Sequence, residues 1–143
     1  VSGRIRGGCS FTAASNSYFQ GRTADGAKRA GWYLARECYL DDPYPDDAKH
    51  RAMGLPFRDG RRQPSPLYGC RTVAFVHDEF IVETPKAIGS SAAKRLGDVM
   101  ILGMKEYVPS VEVKVETVLV ERWYKGAKPV HDADGNLLVW KPK

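Results

Sequence analysis

The chain has 143 residues, 43% apolar and 27% charged, the composition of one folded domain with a real core. Its 22 basic and 17 acidic side chains leave a net charge of +5, which favours an anionic partner, nucleic acid first in line. No apolar run approaches the roughly 18 residues of a membrane span, and three scattered cysteines (Cys9, Cys38, Cys70) form neither a zinc-type pair nor a disulfide framework.

The cysteines are expected to be small buried or half-buried side chains in a reduced, intracellular setting. No signal peptide is expected. The sequence opens at Val1 without a methionine, which points to a piece of something longer or one part of a divided protein. Arg4 and Arg6 stand among Gly3, Gly7 and Gly8. Such a basic, glycine-rich lead either approaches phosphates or simply leads, solvated, into a helix.

Residues 11–39 read as one long helix, because alanines and Leu34 dominate and no proline interrupts. Gly21, Gly26 and Gly31 each cost a helix about 1 kcal/mol relative to alanine. They are expected where the backbone closely approaches another element or a ligand. Asn16 and Gln20 lie four apart and share a helix face, presenting two amides that donate and accept. The alternative is an ordinary exposed polar face.

Residues 41–66 hold five prolines, an acidic start (Asp41, Asp42, Asp46, Asp47) and a basic end (Arg58, Arg61, Arg62). A long loop or insertion is expected, reaching over 42–69, with a short helical turn near 46–53. Its Arg-Asp-Gly-Arg-Arg run is either a phosphate contact or a solvated loop.

Residues 73–76 and 80–82 are apolar, β-branched and aromatic runs around His77, Asp78 and Glu79, a pattern that predicts a β-hairpin. Ser90 or Ser91 is expected to cap a helix running to about Tyr107, with Ala93, Leu96, Met100, Met104 and Tyr107 as its buried stripe. Residues 111–120 alternate valine with charge, which predicts a half-buried strand in the hairpin's sheet. Over the tail, 126–143, Asp134-Gly135 predicts a small hairpin. His131 and Asp132 beside that turn repeat the His-Asp pair as a decoy. A single α+β domain follows over 1–143: an antiparallel sheet with helices packed on one face, and one long helix ahead of the acidic hairpin.

The polar island breaks the local rules for a hairpin turn, which marks it as a candidate site against the bland reading of an acidic surface turn. Magnesium needs only one or two carboxylates beside water and substrate phosphates, so Asp78 suits it and Glu79 can help. His77 suits a general base, a metal ligand, or a phosphate or sugar contact. Two-metal phosphoryl transfer requires a further carboxylate to hold ions roughly 3.5–4 Å apart, and no other segment offers one as clearly.

The V-H-D-E run between apolar strands resembles the third catalytic motif of family A DNA polymerases, the bacterial repair and phage type. Gly3-Arg-Ile-Arg6 followed by A-x-N-x-x-x-Q-G-x-x-A-D over 14–25 resembles the segment that opens that family's long palm helix. The resemblance covers roughly 3–40 and 71–125. It implies a polymerase palm portion in which Asp78 is one of two metal-binding aspartates, served by Mg2+. Glu79 supports the catalytic site and His77 touches the primer end. Asn16 and Gln20 reach the minor groove of primer-template DNA, where acceptors recur at every base pair. Thr12 stands where the family has an arginine. The family's other catalytic aspartate, and the fingers that bind the incoming dNTP, lie upstream of the matching segment. A complementary N-terminal polymerase chain is therefore the expected partner, with no membrane and a cytoplasmic setting in a bacterial or phage-infected cell. Two other readings remain: a non-catalytic module that holds duplex DNA, and a stand-alone metal nuclease using His77, Asp78 and Glu79.

Overall fold

A computed structural model describes residues 7–142, so the basic segment 3–6 lies outside the described residues. Helix α1 (Phe11–Tyr39) has the predicted extent. Ser10 caps it, its Oγ accepting from the amide of Ala13 at 3.3 Å. Leu40 ends it in extended backbone. Arg36, in the last turn, donates to the carbonyl of Pro43 and fixes the reversal of the chain.

Helix α3 (Gly89–Lys105) packs along the C-terminal half of α1, and small residues set how closely. A Cβ on Gly103 would sit 2.4 Å from the amide nitrogen of Ala30, so the two backbones touch there. Gly26 meets Met104 of α3, and Gly31 meets the ring of Phe80. The expectation of close approach holds at both glycines. The core between the helices gathers Tyr33, Leu34, Cys38, Ala92 and Val99 with Tyr44, Met53, Leu55, Leu67 and Cys70. Burying one side chain such as Leu34 contributes about 1.5–3 kcal/mol.

The start of α3 differs from expectation. A 3₁₀ turn (Lys86–Ile88) leads into it, and neither serine caps it. Ser91 Oγ donates back to the carbonyl of Ile88, while Ser90 Oγ accepts from the amide of Leu137 in the tail. The buried positions of the helix are Gly89, Ala92, Ala93, Arg95, Gly97, Val99 and Gly103, a face wider than the predicted stripe that shares Ala93 with it. Of the rest of the predicted stripe, Leu96 packs against the core and Met104 meets Gly26 of α1, while Leu96 and Met100, with Ala92 and Ala93, line a cleft.

The predicted single sheet is three small ones among the described residues. The insertion forms α2 (Asp47–Ala52) and an unexpected miniature hairpin, β1 (Phe57–Arg58) with β2 (Arg61–Arg62). The main hairpin pairs β3 (Arg71–Val76) with β4 (Glu79–Glu83), antiparallel with a bulge between Thr72 and Ala74. The tail sheet orders β5 (Leu119–Val120), β7 (Leu137–Trp140) and β6 (Val130–His131), with the tail hairpin where the sequence predicts it.

The strand expected over 111–120 is corrected. Only its last two residues pair, in parallel with β7 and not with the main hairpin. Val113, Val115 and Thr117 are half-buried while their charged neighbours are exposed, so the alternation marks the buried side without a partner strand. The α+β class stands.

The core also holds a buried polar knot. Arg95 donates to both oxygens of Glu37, at 2.7 and 2.6 Å. Ser65 Oγ donates to Glu37 Oε2 at 2.6 Å and Tyr44 OH to Oε1 at 3.2 Å. One carboxylate so joins α1, α3 and both ends of the insertion, and its partners offset the cost of burying it.

Candidate functional site

The main hairpin carries the predicted acidic residues at its tip. His77 and Asp78 alone form the turn, one residue fewer than predicted, and Glu79 is already the first residue of β4, opposite Val76. A two-residue hairpin turn favours positive φ at its first position, which glycine supplies without strain. Here His77 takes it, with φ 58, in the left-handed region where non-glycine residues are held only by their surroundings. What holds it is the stacking just behind. Phe75 and Phe80 are cross-strand partners, their rings stacked with centroids 4.4 Å apart, and Phe80 rests on Gly31 of α1. The hairpin is thereby fixed to the long helix, and a Cβ at Gly31 would come within 3.2 Å of the Phe80 ring.

Strand alternation then divides the acids from their support. Phe80 faces α1, while Glu79 and Ile81 face the opposite side. On that side Trp123 Nε1 donates to Glu79 Oε1 at 3.1 Å. A cleft of about 450 Å³ opens there between the hairpin, α3 and the tail. Asp78, Glu79 and Ile81 of the hairpin line it, with Trp123, Tyr124 and Lys125 contributed by the tail and Leu96 and Met100 by α3. Tyr124 is itself stacked on Trp140, with centroids 5.3 Å apart.

His77, Asp78 and Glu79 are all solvent-exposed. The carboxylate of Asp78 accepts no hydrogen bond among the described residues, which leaves all its lone pairs for a cation. Among the described residues no three His, Cys, Asp or Glu side chains gather closely enough to hold a metal ion. An exposed pair of adjacent acids nevertheless fits magnesium, which keeps waters and takes its remaining oxygens from a substrate.

Asn16 and Gln20 are exposed on the N-terminal half of α1, and neither amide is hydrogen-bonded among the described residues. Between them and Gly31, where Phe80 docks, run 15 and 11 residues of the same helix, about 22 and 16 Å of rise. The structure therefore does not gather the two amides around the acids, but one rigid element carries both. Phe11, Tyr18 and Phe19 are exposed along this half as well.

His131 pairs in β6, and Asp132 is occupied within its own turn. The Asp132 carboxylate accepts from Asn136 Nδ2 at 3.0 Å and from the amides of Asp134 and Asn136. Those bonds hold its carboxyl below the ordinary range, the Asn136 side chain first. The second His-Asp pair is thus a structural turn.

Sequence reasoning missed Trp123 as a partner of the site, and it missed Glu37 and Arg95. A signal for the latter two exists. Glu37 sits one turn after Tyr33 and Leu34, on the apolar face of α1, and Arg95 lies between Ala92 and Val99. Charged residues at apolar periodic positions are partnered when buried. No protein-family model, no curated protein and no solved structure matches the chain.

Proposed function

We propose that the chain is the C-terminal palm portion of a family A DNA-directed DNA polymerase, working in a bacterial or phage-infected cytoplasm. The observation that carries this reading is the hairpin tip. Asp78 and Glu79 stand exposed beside one cleft, on a hairpin seated on the helix that also displays Asn16 and Gln20. A V-H-D-E hairpin so mounted agrees with the motif order that the sequence resembles.

On this reading Asp78 holds magnesium and Glu79, steadied by Trp123, supports it. When bound, magnesium supplies charge neutralisation on the transferring phosphoryl group and activation of the attacking hydroxyl. His77 contacts the primer end. Asn16 and Gln20 place donors along the minor groove, testing pair geometry without reading sequence. The second catalytic aspartate, the fingers and the dNTP contacts come from a complementary N-terminal chain.

The test is reconstitution. The chain alone is expected to extend no primer, and addition of the complementary chain is expected to give magnesium-dependent extension. Extension by this chain unaided would contradict the division of the site. A duplex-binding module without chemistry shares the Asn16 and Gln20 face, and it differs in needing no Asp78 for its activity.

A further inference from the structure

The miniature hairpin of the insertion has one anchored face and one free face. Phe57 pairs with Arg62 and Arg58 with Arg61, so each pair projects from one side of the ribbon. The first pair is tied down. Phe57 lies edge-on to the buried His50 ring, with centroids 5.1 Å apart, and under the guanidinium of Arg51 at 4.4 Å. Arg62 is clamped by Asp42 at 2.9 Å and Asp47 at 2.5 Å. The turn itself is rigid, with Asp59 and Gly60 both at positive φ, the conformation an Asp-Gly hairpin favours.

The second pair is therefore held outward. Arg58 and Arg61 are exposed, and neither guanidinium meets a carboxylate among the described residues, Asp59 between them included. Like charges directly opposite each other on a ribbon repel. Asp42 and Asp47 are engaged by Arg62, and together with Asp41 they line a recess that Arg61 borders without forming an ion pair of its own among the described residues. An anion between the two guanidiniums relieves the repulsion, and guanidinium binds phosphate bidentately.

We propose that Arg58 and Arg61 form a fork for the phosphodiester backbone of duplex DNA. The surroundings select nucleic acid over an acidic protein. No large hydrophobic side chain is exposed between Leu40 and Tyr68. A protein interface needs apolar anchors at its centre, whereas a phosphate contact needs only charge and N–H donors. The fork is separate from the acidic hairpin and does not depend on the role of Asp78.

The test is fluorescence anisotropy of a labelled duplex with the full chain over a series of salt concentrations. Arg58→Ala with Arg61→Ala is expected to reduce the slope of log affinity against log salt by about two, one per lost phosphate contact. Lys128→Ala with Lys141→Ala removes the same charge elsewhere and is expected to leave the slope unchanged. Arg58→Gln with Arg61→Gln repeats the charge loss with long polar side chains, should the alanines disturb the hairpin. Equal slope losses in the arginine and lysine variants would reduce the effect to net charge and overturn the fork. So would an unchanged slope, or polyglutamate binding as tightly as duplex with the same arginine dependence. Any of these leaves the Asp78 reading standing, because primer extension tests that separately.

Discussion

The indole of Trp123 donates to Glu79 Oε1 at 3.1 Å, tying the tail to the acid beside Asp78. Trp123→Phe keeps an aromatic side chain, though a smaller one, and removes this donor. Primer extension by the reconstituted complex is expected to fall roughly two- to tenfold, the worth of one ordinary, solvent-exposed hydrogen bond. An unchanged rate would detach Trp123 from the site.

The Glu37–Arg95 pair sits deepest. Arg95→Ala leaves a buried carboxylate without its cation and is expected to destabilise the fold by about 3–5 kcal/mol in urea unfolding. Glu37→Gln combined with Arg95→Met removes both charges and is expected to cost clearly less. Equal losses would mean that the pair contributes little beyond packing.

Two glycines of α3 are expected to respond in opposite directions. Gly103→Ala drives a methyl into the backbone of Ala30 and should lower stability by about 1–3 kcal/mol or more. Gly97→Ala places its methyl 3.5 Å from Thr117 Cγ2, an ordinary contact, and recovers up to about 1 kcal/mol of helix propensity. Thermal unfolding of the two variants decides it; a stable Gly103→Ala would contradict the close crossing of α1 and α3.

Tyr33 sets an alkaline limit. Burial, then its hydrogen bond to the Glu106 carboxylate, pushes its phenol up to about 12. Burial raises Tyr44 too, and lifts the Cys38 thiol to about 11. A pKa raised on folding adds stability in full below the unfolded value, which drains away as pH climbs to the folded one. Stability should therefore fall from about pH 10 towards 12, by roughly 2–3 kcal/mol for Tyr33. Tyr33→Phe should flatten that limb of the urea midpoint against pH; an undiminished fall would place the titration elsewhere.

Local chemistry was legible, and long-range pairing was not. Helix α1 could be read over 11–39 because its signals, a run of alanines with Leu34 and no interrupting proline, are all local. The hairpin and the Asp134–Gly135 turn follow from the same kind of signal. The alternation over 111–120 reports which side is buried, but not which strand lies alongside, and β5 pairs with the tail. Ser90 looks like a cap until Leu137, 47 residues away, takes its hydroxyl. Glu37 and Arg95 meet across 58 residues, beyond any periodicity. At the site, Asp78 and Glu79 stood out because they break the rules for a turn, while Trp123 broke none.

The central claim is that Asp78 carries metal for nucleotidyl transfer. It is tested most directly by magnesium-dependent primer extension with the complementary chain present, comparing Asp78→Ala with Asp132→Asn. The account predicts that Asp78→Ala reduces extension to background while Asp132→Asn, altered only in its structural turn, extends primers normally. Full extension by the Asp78→Ala complex would contradict it.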